Sequence, residues 1–142
     1  METILVTGGA GYIASIATRR LLEKGYKVVV YDNLSKGFNK SLSKYVVFVE
    51  GDISEKQKLK DTLKEHNIDA VIHFAGFIAV GESCEDPGLY FDNNLNKGSI
   101  FLEILRNSNV KNIVFSSSAG VYGVPEKVPI TEDIACNPIS PY

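Results

Sequence analysis

The sequence predicts a doubly wound parallel α/β sheet, on three observations. Short runs of β-branched and other apolar residues alternate with stretches of helical spacing through the 142 residues. Those runs are continuously apolar, the pattern of parallel strands buried on both faces. The first run enters the first helix through a glycine-rich turn, Thr7-Gly-Gly-Ala-Gly-Tyr-Ile-Ala-Ser15. Right-handed crossovers between such units give strand order 3-2-1-4-5.

Ile4-Leu5-Val6 is the first strand. Residues 12–24 carry apolar side chains at 13, 16, 17, 21 and 22, which is helical spacing, and Gly25 supplies the C-terminal glycine that often stops a helix. Residues 27–31 and 45–49 read as the second and third strands. Residues 54–66 form a polar helix with Ser54 as its N-cap and Leu59 and Leu63 facing inward. A fourth strand covers 69–75, a helix opened by Pro87 covers 87–107, and a fifth strand covers 112–117. Beyond Val121 the chain is rich in proline and turn residues and predicts no regular element. The whole is expected to be one domain, residues 1–142, with no internal repeat or linker.

Composition narrows the function classes. Lys plus Arg number 15 against 17 Asp plus Glu, a net charge of −2 with no basic stripe, so nucleic acid is not an expected partner. Two cysteines without a CxxC and two histidines seven apart suggest neither a disulfide framework nor a metal site. No apolar run approaches membrane-spanning length, and the N-terminus lacks the pattern of a secretory signal. A cytoplasmic protein is expected.

The glycine turn carries the chemistry. Gly8 and Gly11 sit where a strand turns into a helix, allowing a tight bend and close backbone approach to a pyrophosphate. The helix N-terminus adds unpaired N–H groups and partial positive charge. The third glycine of such loops is replaced by Ala14, which predicts slightly wider helix-to-strand packing with binding retained. The same turn can also be an ordinary strand–helix junction. Asp32 closes the second strand about 20 residues after the loop, where a carboxylate accepts ribose hydroxyls and favours NAD over NADP. Asp32-Asn33 can equally serve as a turn former. Asp52-Ile53 follows the third strand, able either to flank an adenine or to start a helix.

Together these stretches resemble the extended short-chain dehydrogenase/reductase family and, within it, the UDP-glucose (UDP-galactose) 4-epimerases. The matching segments are VTGGAGYI at 6–13, YDNLSKG at 31–37, EGDI at 50–53, HFAG at 73–76, AVGES at 79–83, YFDNN at 90–94, FSSSAGVYG at 115–123 and SPY at 140–142. The resemblance implies a Rossmann fold that binds NAD. It implies that Tyr12 and Ile13 offer N–H groups to the pyrophosphate, that Asp32 and Asn33 hold the adenine ribose, and that Asp52 and Ile53 frame the adenine. It implies that Phe74, Ala75 and Gly76 line the cofactor channel, and that Asn93 and Ser116 support the nicotinamide half. Ser118 would hydrogen-bond the sugar 4-oxygen and Tyr142 would be the active-site base. The reaction so implied oxidises the sugar C4 by hydride transfer, turns the flat 4-keto sugar and returns the hydride to the other face.

The chain departs from that family pattern at several positions. Ile78 stands where these epimerases carry a lysine for the pyrophosphate, which predicts weaker NAD binding. Ile16 stands where a histidine usually follows the loop, which predicts a local packing change. The sequence stops at the tyrosine of Tyr-x-x-x-Lys, so it holds neither that lysine nor a sugar-nucleotide domain. The expectation is therefore the NAD-binding portion of an epimerase-like enzyme, with little or no turnover by itself and a UDP-sugar as partner only if the remainder is supplied. Self-association through the helix at 87–107 is expected. The alternatives are a non-catalytic NAD-binding or interaction module, a folded remnant that binds nothing, and another nucleotide-sugar enzyme such as a dehydratase. Ser118-Ala119-Gly120 lacks the acidic residues that dehydratases tend to carry there.

Overall fold

The computed structural model describes residues 2–38, 40 and 42–142. Five parallel strands, β1 (Thr3–Thr7), β2 (Lys27–Asp32), β3 (Val47–Glu50), β4 (Ala70–His73) and β5 (Asn112–Phe115), form one sheet in the order β3-β2-β1-β4-β5. The expected topology is the observed one. The chain leaves β1 toward β2 on one side and returns through β4 on the other, so the strand order reverses between β1 and β4.

Side-chain alternation on β1 and β2 builds two cores. Ile4, Val6, Val28 and Val30 face α1 (Tyr12–Glu23) and pack with Ala14. Leu5, Val29 and Tyr31, with Val71 of β4, face α2 (Lys56–Glu65) and α5 (Lys97–Arg106), where they meet Leu59, Leu63, Phe101, Ile104 and Leu105. Burial on both faces explains why these strands read as unbroken apolar runs.

α1 stops as its sequence dictates. Gly25 takes φ +87°, its N–H donates to Leu22 O, and the Tyr26 N–H donates to Leu21 O. α2 differs from expectation: it starts at Lys56, and Ser54 does not cap it. The Asp52 carboxylate instead accepts from the Ser54 N–H and hydroxyl, at 3.0 and 2.6 Å, winding a turn ahead of the helix. β3 begins at Val47 and not at residue 45, because its register is set by pairing Val47 with Val29 of β2, while Tyr45 lies outside the ladder.

The stretch expected as one helix over 87–107 is interrupted. A short α4 (Pro87–Tyr90), entered with the Asp86 carboxylate accepting from Leu89 N–H, passes into a wide π-helical segment, Phe91–Asn96, before α5 begins. An unexpected short helix, α3 (Val80–Glu85), precedes it. β5 ends at Phe115, shorter than the run 112–117, and one 3₁₀ turn, Ala119–Tyr122, follows. Ile16, expected to alter packing, is 45% exposed and outside the core. No described helix is long and apolar enough to cross a membrane, and no described His, Cys, Asp or Glu cluster could hold a metal.

Candidate functional site

A cavity of about 800 Å³ opens at the C-terminal ends of the strands, where the strand order reverses. Its floor is the turn between β1 and α1. Gly8 takes φ +69° there, and a Cβ on it would lie 2.7 Å from the Ala75 backbone nitrogen. Only glycine lets the turn and the segment after β4 approach so closely. Gly11 is the N-cap of α1 and carries no capping side chain. The first-turn N–H groups of Tyr12 and Ile13 therefore have no partner within the helix and lie at the cavity wall, a backbone anion site.

Asp32, at the end of β2, is buried and reaches back to this turn. Its Oδ2 accepts from the Ala10 N–H at 2.9 Å and its Oδ1 from the Leu34 N–H at 2.8 Å. Each oxygen keeps a further lone pair for a hydroxyl. One carboxylate thus shapes the glycine turn and faces the cavity beside Asn33.

Asp52 and Ile53 lie across from them. Asp52 Oδ2 accepts from Asn33 at 3.0 Å and from Lys97 Nζ at 2.9 Å. Burial pushes the Asp52 carboxyl up, but the hydrogen bonds from Ser54, Lys97 and Asn33 outweigh it and hold it at about 2. Behind it, burial, reinforced by Glu55 and Asp52, pushes the Tyr31 phenol up to about 12. Tyr31 is neutral at physiological pH, and its hydroxyl donates to the Asp52 carbonyl at 3.3 Å.

Phe74, Ala75 and Gly76 form the wall that continues β4. Asn94 fixes the end of that wall. Its Oδ1 accepts from the Phe77 N–H at 2.8 Å and its Nδ2 donates to the Phe77 carbonyl at 2.9 Å, a two-point clasp on the backbone of one residue. Asn93 Nδ2 donates to Asn94 Oδ1. Both asparagines come from the π-helical segment.

The far end holds hydroxyls. Ser116 and Ser118 follow β5, and Ser118 Oγ accepts from the Gly120 N–H at 3.0 Å. Tyr142 stands edge-on to Tyr90, ring centroids 6.4 Å apart. Tyr90 is buried, accepts from the Ala79 N–H and donates to Glu82 Oε2 at 2.6 Å. A backbone anion site at one end and side-chain hydroxyls at the other suit an extended ligand with an anionic group at the glycine turn and polar groups near Ser118 and Tyr142.

Every candidate from the sequence borders this one cavity: Gly8, Gly11, Tyr12, Ile13, Asp32, Asn33, Asp52, Ile53, Phe74, Ala75, Gly76, Asn93, Ser116, Ser118 and Tyr142. Sequence reasoning missed Asn94, Lys36, Lys97 and the Tyr90–Glu82 pair. One signal was available for the asparagines: Asn93-Asn94 interrupts a helical run with two poor helix formers.

Residues 4–142 match the NAD dependent epimerase/dehydratase family. The chain is 45% identical over 139 residues to the UDP-glucose 4-epimerase of Lactobacillus helveticus, covering 98% of this chain and 42% of that protein. It is 47% identical over 146 residues to the UDP-glucose 4-epimerase of Bacillus subtilis, covering 98% of this chain and 43% of that one. Among solved structures, UDP-glucose 4-epimerase from Brucella ovis in complex with NAD superposes with a TM-score of 0.96 at 44% identity, over 100% of this chain and 43% of that one. The enzyme from Bifidobacterium longum, in complex with NAD+ and UDP, gives a TM-score of 0.89 at 43% identity, over 95% of this chain and 42% of that one. The chain thus spans less than half the length of these relatives. With its sheet order, glycine turn and match over nearly its whole length, the chain belongs to the NAD dependent epimerase/dehydratase family.

Proposed function

We propose that this chain is the NAD-binding portion of a UDP-glucose 4-epimerase. One observation carries the reading: the glycine turn after β1 and Asp32 closing β2 face the same cavity, at the point where the strand order reverses. The residues fit the cofactor. Gly8, Gly11 and the Tyr12 and Ile13 N–H groups would take the diphosphate. Asp32 and Asn33 would take the adenine ribose, with Asp52 and Ile53 beside the adenine. Phe74, Ala75 and Gly76 would line the channel toward a nicotinamide held by Asn93 and Ser116. When bound, the nicotinamide supplies the hydride acceptor and donor for the sugar C4. Ser118 would orient the 4-hydroxyl and Tyr142 would take its proton as a phenolate.

Interconversion of UDP-glucose and UDP-galactose belongs to the same proposal, as does the place of that reaction in galactose metabolism. So does self-association through residues 87–107, supported by Phe91, Leu95 and Leu102, which are exposed. Cytoplasmic location is supported by Cys84 and Cys136, both exposed and unpaired.

Calorimetric titration of the purified chain with NAD+ and NADH, after removal of bound nucleotide, tests the cofactor reading. Micromolar binding is the expected result, and no binding at millimolar NAD+ overturns it. A coupled assay for UDP-galactose conversion by the NAD-loaded chain then separates an enzyme from a cofactor-binding module.

A further inference from the structure

Two aspartates border the cavity, and they differ in what they have left to offer a ligand. An ionised carboxylate has about four lone-pair sites, shared between its oxygens. Asp32 uses one on each oxygen, for the Leu34 and Ala10 N–H groups. Asp52 uses both on each. Its Oδ1 accepts from the Ser54 N–H at 3.0 Å and the Ser54 hydroxyl at 2.6 Å. Its Oδ2 accepts from Asn33 Nδ2 at 3.0 Å and from Lys97 Nζ at 2.9 Å. Asp32 is therefore open to a ligand hydroxyl, and Asp52 is closed.

The closure is firm. The Asp52 N–H donates to Glu55 Oε1 at 2.9 Å, and its carbonyl accepts from the Glu55 N–H at 2.9 Å and from the Tyr31 hydroxyl at 3.3 Å, so the backbone is held as well as the side chain. The bond from Lys97 is charge-assisted, roughly twice as strong as a neutral one, and both side chains are largely buried. A neutral amine on a nucleotide base would have to displace an ammonium to reach Oδ2. Asn33 is committed too: its Nδ2 serves Asp52 and its Oδ1 accepts from the Ser35 N–H at 3.0 Å. The bond that completes the set comes from Lys97, the first residue of α5, 45 residues along the chain.

We propose that Lys97 determines specificity at this end of the cavity: by taking the remaining lone pair of Asp52 it closes that carboxylate to the ligand, so the site accepts a purine without reading its 6-amino group. This rests on the NAD-binding reading above. The base then lies against Ile53, which is apolar and buried, while the ribose on Asp32 and the diphosphate on the glycine turn carry the recognition.

The test titrates the chain with ADP and with purine riboside 5′-diphosphate, which has hydrogen in place of the 6-amino group. Wild type is expected to bind the two within about threefold of each other. Lys97→Met frees a lone pair on Oδ2 and is expected to prefer ADP about fivefold more than wild type does, the worth of one neutral hydrogen bond. Lys97→Arg keeps the ion pair and should keep the indifference of wild type. A larger preference for ADP in wild type overturns the proposal and leaves the NAD reading standing. So does a Lys97→Met variant that melts like wild type and gains no preference. Should Lys97→Met fail to fold, the wild-type comparison decides alone. A wild-type chain that binds neither NAD+ nor ADP overturns both readings.

Discussion

β2 and β5 read alike in sequence and sit in opposite surroundings. Val30 of β2 is fully buried, whereas Val114 of β5 is 61% exposed, as is Phe115. β2 pairs on both edges, with β1 and β3, and β5 on one edge, with β4, but edge pairing occupies backbone groups and leaves the faces of a strand open. Cover of the faces separates them: β1 and β2 lie between α1 on one face and α2 with α5 on the other, while every residue of β5 is exposed. Strand pairing and strand burial are therefore separable, and the half that carries the glycine turn and Asp32 has its own complete core.

Gly8→Ala should break the buried half most severely. It combines a left-handed residue with a Cβ 2.7 Å from the Ala75 nitrogen. The strain and crowding together should cost about 3 kcal/mol or more in urea unfolding. A cost under about 1 kcal/mol would mean that the turn re-forms around the methyl group.

His73, on the boundary strand β4, sharpens the comparison, because it touches both halves. Its ring stacks on Phe101 at 4.7 Å and tilts against Phe115 at 5.3 Å, and its Nδ1 lies 2.7 Å from the Thr7 hydroxyl of β1. Burial pushes it down from 6.5 to about 4. The unfolded chain binds the proton more readily, so the stability that neutral His73 confers is complete above pH 6.5 and is lost as pH falls toward 4. The expected loss is about 3 kcal/mol, read from unfolding curves across that interval. His73→Gln should be less stable near neutrality and markedly flatter with pH, and an unchanged slope would assign the dependence elsewhere.

The same truncation in the two strands measures their difference directly. Val30→Ala should cost about 2 kcal/mol and Val114→Ala under about 0.5 kcal/mol by chemical denaturation. Equal costs would mean that β5 is covered in solution, as self-association would bring about. A small effect of the opposite sign is expected at Thr18 of α1, which is buried with a hydroxyl that has no hydrogen-bond partner. Thr18→Val should therefore raise stability, by up to about 1 kcal/mol in the same assay.

Sheet order and the location of the site were legible because both depend on local signals. Apolar runs, their spacing and one glycine turn suffice to place strands, crossovers and the switch point. Burial of β5 was not legible, because Ile113-Val114-Phe115 has the same pattern whether or not anything packs on it. The start of α2 was misplaced because Ser54 and Asp52 compete for the same turn, and the carboxylate holds both Ser54 groups. Asn94, Lys36 and Lys97 escaped notice because their partners lie 17, 46 and 45 residues away, beyond any periodicity.

The π-helical segment has a bearing on how this fold tolerates change. Each residue in a helix turns its successors by about 100°, so a wide turn acts as a phase adjuster. Upstream of it, Tyr90 is aimed at Ala79 and Glu82; downstream, Phe101, Ile104 and Leu105 are aimed at the sheet. The two faces need not share one helical register. The lining of the cavity can thus drift in sequence without dragging the core with it, and a single-residue deletion within 91–96 would couple the two again.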